Sequence, residues 1–237
     1  MSKNFIAIGD IHGRDVWKKI HPDQHEKIIF VGDFVDGYLS DKEVVENLRD
    51  IIDFKCRFKE KVILLIGNHD LQYALWEPWN PYQCSGFRPN LQPLLTEMFS
   101  LNADCFQAAY QIDNFLFTHA GVSNGWYTYC KPVIEEYQER FQTENLAETL
   151  NVIFRSKDTN ILHLVSGKRG GRYPYGGITW ADAVETMNDP LLGYHQIVGH
   201  TRRDRIDTYR INEETKITYI DVLSKTEDFY TYPVTFE

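Results

Sequence analysis

Five short apolar runs in the sequence each lead directly into a segment that contains glycine and an Asp, Asn or His. These segments are GDIHG at 9–13, GDFVD at 32–36, GNHD at 67–70, THAG at 118–121 and GHT at 199–201. Short apolar runs rich in β-branched residues predict buried strands, so the residues after them lie at the carboxyl ends of strands. In α/β proteins this end of the sheet binds ligands. The pattern therefore predicts an α/β chain whose strands deliver polar side chains to one rim.

Length and charge limit the classes of protein that the chain can belong to. With 237 residues and no visible repeat or linker, we predict a single domain over 1–237, with a helical and loop excursion at about 123–178. The formal net charge of −9 disfavours a non-specific nucleic-acid binder, because carboxylates repel phosphates. We therefore expect no nucleic-acid partner.

The cysteines and the apolar runs predict a cytoplasmic protein. The four cysteines, Cys56, Cys84, Cys105 and Cys130, have no CxxC or zinc-finger spacing, which favours reduced thiols. The first apolar run meets a polar Gly-Asp turn at residues 9–10, which is too early for a signal peptide. No run reaches membrane-spanning length, so no membrane contact is expected.

Hydrophobic periodicity predicts the elements between the motifs. Ser40 and Glu43 have the spacing of a capping box, which predicts a helix reaching about residue 54. Further helices are predicted at 14–20, 91–106, 132–141, with Pro132 in the first turn, and 146–154. Strands are predicted as a hairpin at 108–117 and singly at 208–211, 216–220 and 229–235.

Two loop segments each have two interpretations at this stage. The stretch 76–90 contains two Trp and three Pro, which is typical either of a loop packed on the core by its aromatic residues or of a rim that grips a substrate. The glycine-rich segment 167–177 carries Lys168, Arg169 and Arg172. It is either a flexible surface loop or a lid that contacts phosphate.

The recurrence of Asp, Asn and His at five strand ends predicts a metal site. One pair such as Asp10 and His12 would be weak support, because both residue types are also common in turns. A mixed set of oxygen and nitrogen donors suits borderline divalent ions such as Mn²⁺, Fe²⁺ or Zn²⁺, and the lack of cysteine argues against structural zinc. Two such ions about 3.5 to 4 Å apart would suit hydrolytic phosphoryl transfer.

The ordered motifs resemble those of the calcineurin-like metallophosphoesterases, most closely the phosphoprotein phosphatase type in a form similar to bacterial members. The resemblance implies a metallo-dependent phosphatase fold, a four-layer αββα sandwich of two mixed β-sheets flanked by helices. It also implies two divalent metal ions, with Mn²⁺ the best match and Fe or Zn as alternatives. The implied ligands are Asp10 and His12 on the first ion, Asp33 as the bridge, and Asn68, His119 and His200 on the second ion.

The same resemblance implies a phosphatase mechanism in which a metal-activated hydroxide attacks a phosphomonoester. His69 would act as the general acid and Asp36 would orient it. The substrate would be a phosphorylated small molecule or a phosphoprotein, as for serine/threonine phosphatases. Asp70 is predicted to be the N-cap of a helix over 71–76, and Asp221 to support the ligands from outside their set.

One departure from the family pattern affects the expected substrate. The pattern GDxVDRG has an arginine where this chain has Gly37, so the guanidinium that grips phosphate is missing there. Arg172, Arg14 and Arg202 are the predicted replacements, with Arg169 as a further candidate. Two alternatives remain: a diadenosine-tetraphosphatase-like hydrolase, in which residues 76–87 would stack on a base, and a non-catalytic metal-binding scaffold. The scaffold is disfavoured because all six ligand positions and His69 hold competent residues.

Overall fold

Two five-stranded sheets form the centre of the computed structural model, which describes residues 4–75 and 83–233. The strands are β1 (Asn4–Ile8), β2 (Lys27–Phe30), β3 (Val62–Leu65), β4 (Phe106–Gln107), β5 (Ala109–Ile112), β6 (Phe115–Thr118), β7 (His195–Val198), β8 (Asp207–Arg210), β9 (Lys216–Tyr219) and β10 (Tyr230–Pro233). The helices are α1 (Asp41–Phe58), α2 (Asn68–Ala74), α3 (Gln92–Leu101), α4 (Asn124–Phe141), α5 (Leu146–Phe154) and α6 (Ala183–Asn188).

Both sheets are mixed. The first has the order β10-β1-β2-β3-β4, in which β1 to β4 are parallel and β10 is antiparallel to β1. The second has the order β5-β6-β7-β9-β8, with parallel pairing of β6, β7 and β9 and an antiparallel strand at each edge. The parallel strands that carry the five motifs therefore all end at the same side of their sheets.

Alternation along the strands separates the layers. Phe5, Ala7, Ile29 and Val31 pack between the sheets, together with Phe117 of β6. The side chains between them on β1 and β2 point the other way and share a second cluster with the apolar stripe of α1. Helices α4 and α5 cover the outer face of the second sheet in a third cluster. The predicted fold, two mixed sheets flanked by helices, is confirmed.

The capping box at the start of α1 forms as predicted. The backbone N–H of Glu43 donates to Oγ of Ser40 at 3.3 Å, and the backbone N–H of Ser40 donates to Oε2 of Glu43 at 2.8 Å. These two bonds satisfy backbone donors that the first turn of a helix leaves without a partner. The helix extends to Phe58, four residues further than the periodicity predicts.

Three predicted boundaries are wrong. The predicted helix 91–106 ends at Leu101, because Phe106 pairs with Leu64 as the edge strand β4. Helix α4 begins at Asn124 instead of at Pro132, because its apolar face already starts at the fully buried Trp126. The predicted crossover helix at 14–20 is a short 3-10 turn over Val16–Lys19.

Residues 76–82 of the aromatic stretch 76–90 lie outside the described residues, and with them most of the segment 76–87 that is predicted to stack on a base. In the described part, Phe87 stacks on the buried Tyr73 with ring centroids 5.2 Å apart, as a loop packed on the core would do. Across residues 4–75 and 83–233, no helix is both long enough and apolar enough to cross a membrane.

Candidate metal centre

The polar side chains at the strand ends converge on one rim between the two sheets. The loops after β1, β2 and β3 of the first sheet meet there with the loops after β6 and β7 of the second. Six predicted ligands come together at this rim: Asp10, His12, Asp33, Asn68, His119 and His200. All are buried except His200, which is half-buried. The fold thus joins residues as distant in sequence as Asp10 and His200, whose backbone N–H lies 3.0 Å from both Asp10 carboxylate oxygens.

Asp33 occupies the middle of this cluster. Its carboxylate belongs to two groups of potential ligands, one with His12 and His69 and one with Asp10 and His119, and within each group the ligand atoms lie within 4.8 Å of one another. A carboxylate shared by two groups is suited to bridge two ions. The grouping differs in two respects from the division that the resemblance implies. Asp10 lies with His119 and not with His12, and His69, the predicted acid, lies with His12 and Asp33.

Backbone strain is concentrated at the same rim. Four residues adopt positive φ angles there: His12 (46°), Asp33 (53°), Asp36 (66°) and His200 (64°). Such conformations cost of order 1 to 3 kcal/mol each in residues other than glycine, and they persist where the surrounding structure enforces them. The strand ends that carry the predicted site are therefore held in conformations that free turns would avoid.

Two glycines allow the strand ends to approach each other. A Cβ atom on Gly67 would lie 2.1 Å from Oδ1 of Asp33, and one on Gly199 would lie 2.0 Å from Oδ1 of Asp10. Any side chain at these two positions would displace a carboxylate of the cluster. The glycines that precede Asn68 and His200 are thus required by the neighbouring loop as well as by their own turns.

The orientation of His119 provides a test of whether a cation fits. Its Nδ1 donates to the carbonyl oxygen of Val31 at 2.8 Å, so the neutral ring has a lone pair on Nε2. That nitrogen faces two acceptors, Oδ1 of Asn68 at 2.9 Å and Oδ2 of Asp33 at 3.5 Å. Burial lowers the pKa of His119 although Asp33 opposes the shift, which disfavours an extra proton. A cation between these three acceptors fits the donor set.

His12 is oriented in the same way. Its Nδ1 lies 2.9 Å from the carbonyl oxygen of Val35, and its Nε2 lies 3.7 Å from Oδ2 of Asp33. Burial lowers the pKa of His12, and Asp33 opposes this only in part. Two histidines from different sheets thus present unprotonated nitrogens to the same carboxylate, as ligands of a divalent metal must.

A buried cysteine fixes the amide of Asn68. Nδ2 of Asn68 donates to Sγ of Cys84 at 3.0 Å, and the thiol donates to the backbone oxygen of Asn68 at 3.4 Å. This leaves Oδ1 of Asn68 directed at His119 and at Nδ1 of His200, which lies 2.8 Å away. The amide oxygen, which is the metal-binding end of the side chain, therefore points into the cluster.

The carboxylates of the site strongly favour a positive charge. Burial raises the pKa of Asp10 well above its usual value, and the neighbouring Asp221 and Asp33 raise it further. Burial, with help from Asp33, raises the pKa of Asp221 to about 6, and its Oδ2 is buried with no hydrogen-bond partner among the described residues. Asp221 thus contacts Asp10 from behind, where the sequence predicts a supporting residue. Divalent cations would offset this crowding of negative charge.

His69 lies in the group with His12 and Asp33 and is held by Asp36. Its Nδ1 is 2.9 Å from Oδ2 of Asp36, which leaves Nε2 as the nitrogen available to a ligand or substrate. Burial alone lowers the pKa of His69, but the Asp33 charge and the hydrogen bond that His69 donates to Asp36 raise it by more, so the net shift is upward. The predicted pairing of these two residues is present in the fold.

Asp36 is itself fixed by two donors from α2. Nε2 of Gln72 donates to its Oδ2 at 2.5 Å, and the hydroxyl of Tyr73 donates to its Oδ1 at 2.6 Å. The sequence analysis missed both residues. A signal was present, because Gln72 and Tyr73 follow Asn68 and His69 by four residues, and this spacing puts each pair on one helical face.

The prediction that Asp70 is an N-cap is wrong in position. The N-cap of α2 is Gly67, and Asp70 is the third residue of the helix. Its Oδ2 accepts from the backbone N–H of Gly67 at 2.9 Å, while its Oδ1 accepts from that of Phe34 at 2.7 Å. Asp70 therefore caps the helix from inside and also ties the loop after β3 to the loop after β2.

The predicted phosphate-binding arginines occupy different positions around the rim. Arg14 is partly buried, donates to the carbonyl oxygen of Ile11 at 3.2 Å, and lies near Asp221 and Asp10. Arg202 is exposed and lies near Arg14. Arg172 is exposed in the glycine-rich segment. Within that segment, Arg169 contacts the rim at Thr201.

Arg169 links the glycine-rich segment to the loop after β7. Its Nη2 donates to Oγ1 of Thr201 at 3.0 Å, and its Nε lies 2.8 Å from Oδ2 of Asp182. Glu185 also holds the segment by accepting from Oγ of Ser166 at 2.5 Å and from the backbone N–H of Gly176 at 2.8 Å. The segment is therefore anchored at both ends beside His200.

Arg88, which the sequence analysis also missed, places its guanidinium against the backbone of Gly37. Its Nη2 donates to the carbonyl oxygens of Gly37 at 3.0 Å and Leu39 at 2.6 Å, and it forms an ion pair with Asp41. These bonds use Arg88 to hold the loop between β2 and α1.

A family model for calcineurin-like phosphoesterases matches residues 3–203, which include all five motifs and every predicted ligand. The chain belongs to the calcineurin-like phosphoesterase family. The family resemblance, and with it the prediction of a phosphoesterase, is thereby confirmed.

Proteins similar to this chain include a relative named as a phosphatase and solved structures of phosphatases. The Schizosaccharomyces pombe protein named "Putative serine/threonine-protein phosphatase C22H10.04" is 23% identical over 214 residues, which are 83% of this chain and 64% of that protein. The chain therefore spans less than two thirds of that relative. The crystal structure of a cold-active protein-tyrosine phosphatase from a psychrophilic Shewanella species has a TM-score of 0.60 at 17% identity, covering 98% of this chain and 75% of that one. A 1.1 Å structure of a cold-active protein tyrosine phosphatase gives 0.60 at 16% identity, with 98% and 74% covered. These structures share the fold.

Proposed function

We propose that this calcineurin-like phosphoesterase is a phosphatase that hydrolyses phosphomonoesters with two divalent cations. The observation that carries the proposal is the position of Asp33, which belongs to both groups of potential ligands while its Oδ1 accepts from the backbone N–H of His69 at 2.9 Å. The Asp33 carboxylate thus contacts both candidate ion sites and also the backbone of His69, the candidate acid. The bound cations would supply an activated water and neutralise charge on the phosphoryl oxygens.

Six side chains would hold the cations: Asp10, His12, Asp33, Asn68, His119 and His200. Three carboxylate or amide oxygens and three imidazoles make a donor set of intermediate hardness, for which Mn²⁺ is the best match and Fe or Zn are alternatives. Within this set, the carbonyl oxygens of Val31 and Val35 keep the rings of His119 and His12 in the tautomer that presents Nε2.

His69 would protonate the leaving group. The leaving oxygen of an alkyl phosphate is strongly basic, so a proton delivered as the bond breaks stabilises the transition state. Asp36 accepts a hydrogen bond from Nδ1 and so stabilises the protonated ring, which keeps the transferable proton on Nε2. Gln72 and Tyr73 hold Asp36 in place. Asp36 would therefore act through His69 without touching the substrate.

Cationic side chains around the rim would bind the phosphate in place of the arginine missing at position 37. Arg14, Arg172 and Arg202 are the residues proposed from the sequence, and Arg169 joins them because it contacts the loop that carries His200. The phosphorylated substrate is a small molecule or a phosphoprotein. We further propose a single domain over 1–237 in the cytoplasm, a location with which the four free cysteines agree.

A substrate panel tests this function. The purified protein with Mn²⁺ is assayed on p-nitrophenyl phosphate, a phosphoserine peptide, bis-p-nitrophenyl phosphate and a dinucleoside tetraphosphate, each with and without a chelator. We expect both monoesters to be hydrolysed, the chelator to abolish hydrolysis and added Mn²⁺ to restore it. Preference for the tetraphosphate would instead identify a phosphoanhydride hydrolase. Hydrolysis of none of the four, by protein that binds metal, would contradict the proposal.

A further inference from the structure

Two clefts of opposite charge lie on either side of residues 222–227, next to the metal centre. The first, here the basic cleft, has a volume of about 720 Å³. Its charged lining consists of four cations, Arg202, Arg203, Arg205 and Lys225, and two carboxylates, Asp204 and Asp207. In a chain of formal net charge −9, this excess of cations reverses the sign locally.

Two of these cations serve the protein itself. The Arg203 guanidinium lies over the rings of Tyr219 and Tyr209, 4.7 and 5.7 Å from their centroids, and Arg205 pairs with Asp207 at 3.2 Å. The side chains of Arg202 and Lys225 form no hydrogen bond or ion pair with the described part of the chain. The charge of Arg202 acts on the nearby Asp221 carboxylate, so within the described part of the chain Lys225 is the cation of this lining whose charge is open to a ligand.

The basic cleft opens beside the predicted ligands. Arg202 is two residues beyond His200, and the backbone N–H of Arg203 donates to the carbonyl oxygen of Asp221 at 2.8 Å. The Asp221 carboxylate in turn contacts Asp10. A phosphoryl group at the metal centre would thus have the basic cleft on one side.

The second cleft, here the acidic cleft, begins at Gly13 and Arg14 on the opposite side of residues 222–227. It has a volume of about 400 Å³ and its lining includes five carboxylates, Asp15, Glu43, Glu46, Asp50 and Glu227. Lys18, which pairs with Asp50 at 2.6 Å, and Arg14 are the cations in this lining. Two lysines outside it, Lys19 and Lys42, pair with Glu227 and Glu46. Leu223 and Glu227 line the acidic cleft, whereas Ser224 and Lys225 line the basic cleft.

We propose, on the basis of the phosphatase function above, that the substrate is a phosphorylated polypeptide with acidic residues on one side of the phosphorylated residue, and that the basic cleft binds these residues. Carboxylates there would meet a lining with an excess of cations, whereas the acidic cleft on the other side has an excess of carboxylates in its lining. A continuous polyanion such as a nucleic acid would extend into both clefts and meet repulsion in one of them. A polypeptide, in contrast, can carry its negative charge on one side.

Three phosphoserine peptides test the proposal with the Mn²⁺-loaded protein. One has three glutamates before the phosphoserine, one has them after it, and one has glutamines at all these positions. We expect one acidic peptide to exceed both others in kcat/KM by roughly three- to tenfold at low salt, the size expected for two exposed ion pairs. The preference should shrink at 0.5 M NaCl, because exposed charges are screened. Anisotropy titrations with labelled non-hydrolysable phosphonate analogues should rank the Kd values in the same order.

A double variant separates the cleft from the catalytic residues. Arg205→Gln with Lys225→Gln removes two exposed cations of the basic cleft, of which Arg205 pairs with Asp207, and leaves Arg202 in place. The preference should therefore fall to about twofold or less, with kcat/KM for the glutamine peptide and p-nitrophenyl phosphate unchanged. The matched control is Lys131→Gln with Arg140→Gln, which changes the net charge equally on α4 and should keep the preference.

The outcomes distinguish this inference from the proposed function. If no phosphoester is hydrolysed, the phosphatase function fails and takes the inference with it. If all three peptides are hydrolysed equally, or if the control variant loses the preference as strongly as the cleft variant, the inference alone is overturned. It is likewise overturned if a dinucleoside tetraphosphate is the better substrate and depends on Arg205 and Lys225, because the cleft then binds a phosphate chain.

Discussion

Three histidines of the candidate metal centre have similar positions but different hydrogen-bond partners on Nδ1. His12 and His119 each donate a hydrogen bond from Nδ1 to a backbone carbonyl oxygen, whereas His69 donates one from Nδ1 to the Asp36 carboxylate. The pKa is lowered for His12 and His119, chiefly by burial. It is raised for His69, where burial is outweighed by Asp33 and Asp36. A neutral carbonyl thus leaves an imidazole free to act as a ligand, whereas a carboxylate stabilises the protonated ring.

The largest effect is expected for a substitution at Asp33, which lies close to the carbonyl-bound His12 and His119 and to the carboxylate-bound His69. Replacing Asp33 with Asn should remove the negative charge that His12, His119 and His69 all face. We expect fewer bound ions per chain and a loss of more than about 100-fold in kcat/KM. Asp10→Asn is the matched control at the edge of the cluster and should lose less. Metal analysis and kcat/KM on p-nitrophenyl phosphate measure both. Normal ion content and turnover in Asp33→Asn would show that the site is wrongly assigned.

A second prediction separates a proton donor from a ligand by the leaving group. His69→Asn should reduce kcat on a serine or alkyl phosphate by about 10² to 10⁴-fold and reduce it far less on p-nitrophenyl phosphate, whose leaving group needs little protonation. His119→Asn should slow both substrates alike, because a ligand serves every substrate. The prediction fails if His69→Asn slows both substrates equally.

The pH dependence of Asp36→Asn should distinguish the carboxylate-bound histidine from the carbonyl-bound ones. Asp36 helps to raise the pKa of His69, and activity requires the protonated form, so activity is lost as the pH rises through that pKa. Without Asp36 the pKa falls and the loss begins at a lower pH, with a decrease of about 10-fold on alkyl phosphates. A pH profile of kcat with an unmoved alkaline limb would contradict this.

A smaller effect is expected at Cys84, which orients Asn68 through its thiol. Cys84→Ala removes both hydrogen bonds without adding volume to this buried position and should weaken Mn²⁺ affinity by about 10-fold, as measured by titration calorimetry. Cys84→Ser keeps an acceptor and a donor and should restore most of the affinity. If both variants bind Mn²⁺ like the wild type, the amide of Asn68 does not depend on Cys84.

The strand ends and their ligands were predictable because each motif is local. An apolar run, a glycine and a ligand follow one another within about ten residues, and the parallel sheets then bring the five ends together. The helical spacing from Asn68 and His69 predicts the face on which Gln72 and Tyr73 lie. Their role could not be predicted, because the sequence does not show that Asp36 lies opposite them.

Contacts between residues far apart in the sequence, with no motif to link them, were beyond prediction. Cys84 reaches Asn68 over 16 residues and Arg88 reaches Gly37 over 51, and no periodicity links either pair. The edge strand β4 was mistaken for the end of a helix because its two residues are too few to show alternation. The start of α4 was misplaced because Pro132 suggested a first turn, whereas the buried Trp126 anchors the helix earlier.

The central claim is that His12 and His119 hold ions whereas His69 holds a proton. It is tested most directly by counting Mn²⁺ ions per chain, by mass spectrometry of protein dialysed to equilibrium, in the wild type, His69→Asn and His119→Asn. We predict two ions in the wild type, two in His69→Asn and fewer than two in His119→Asn. A loss of an ion in His69→Asn, or full occupancy in His119→Asn, would contradict the account.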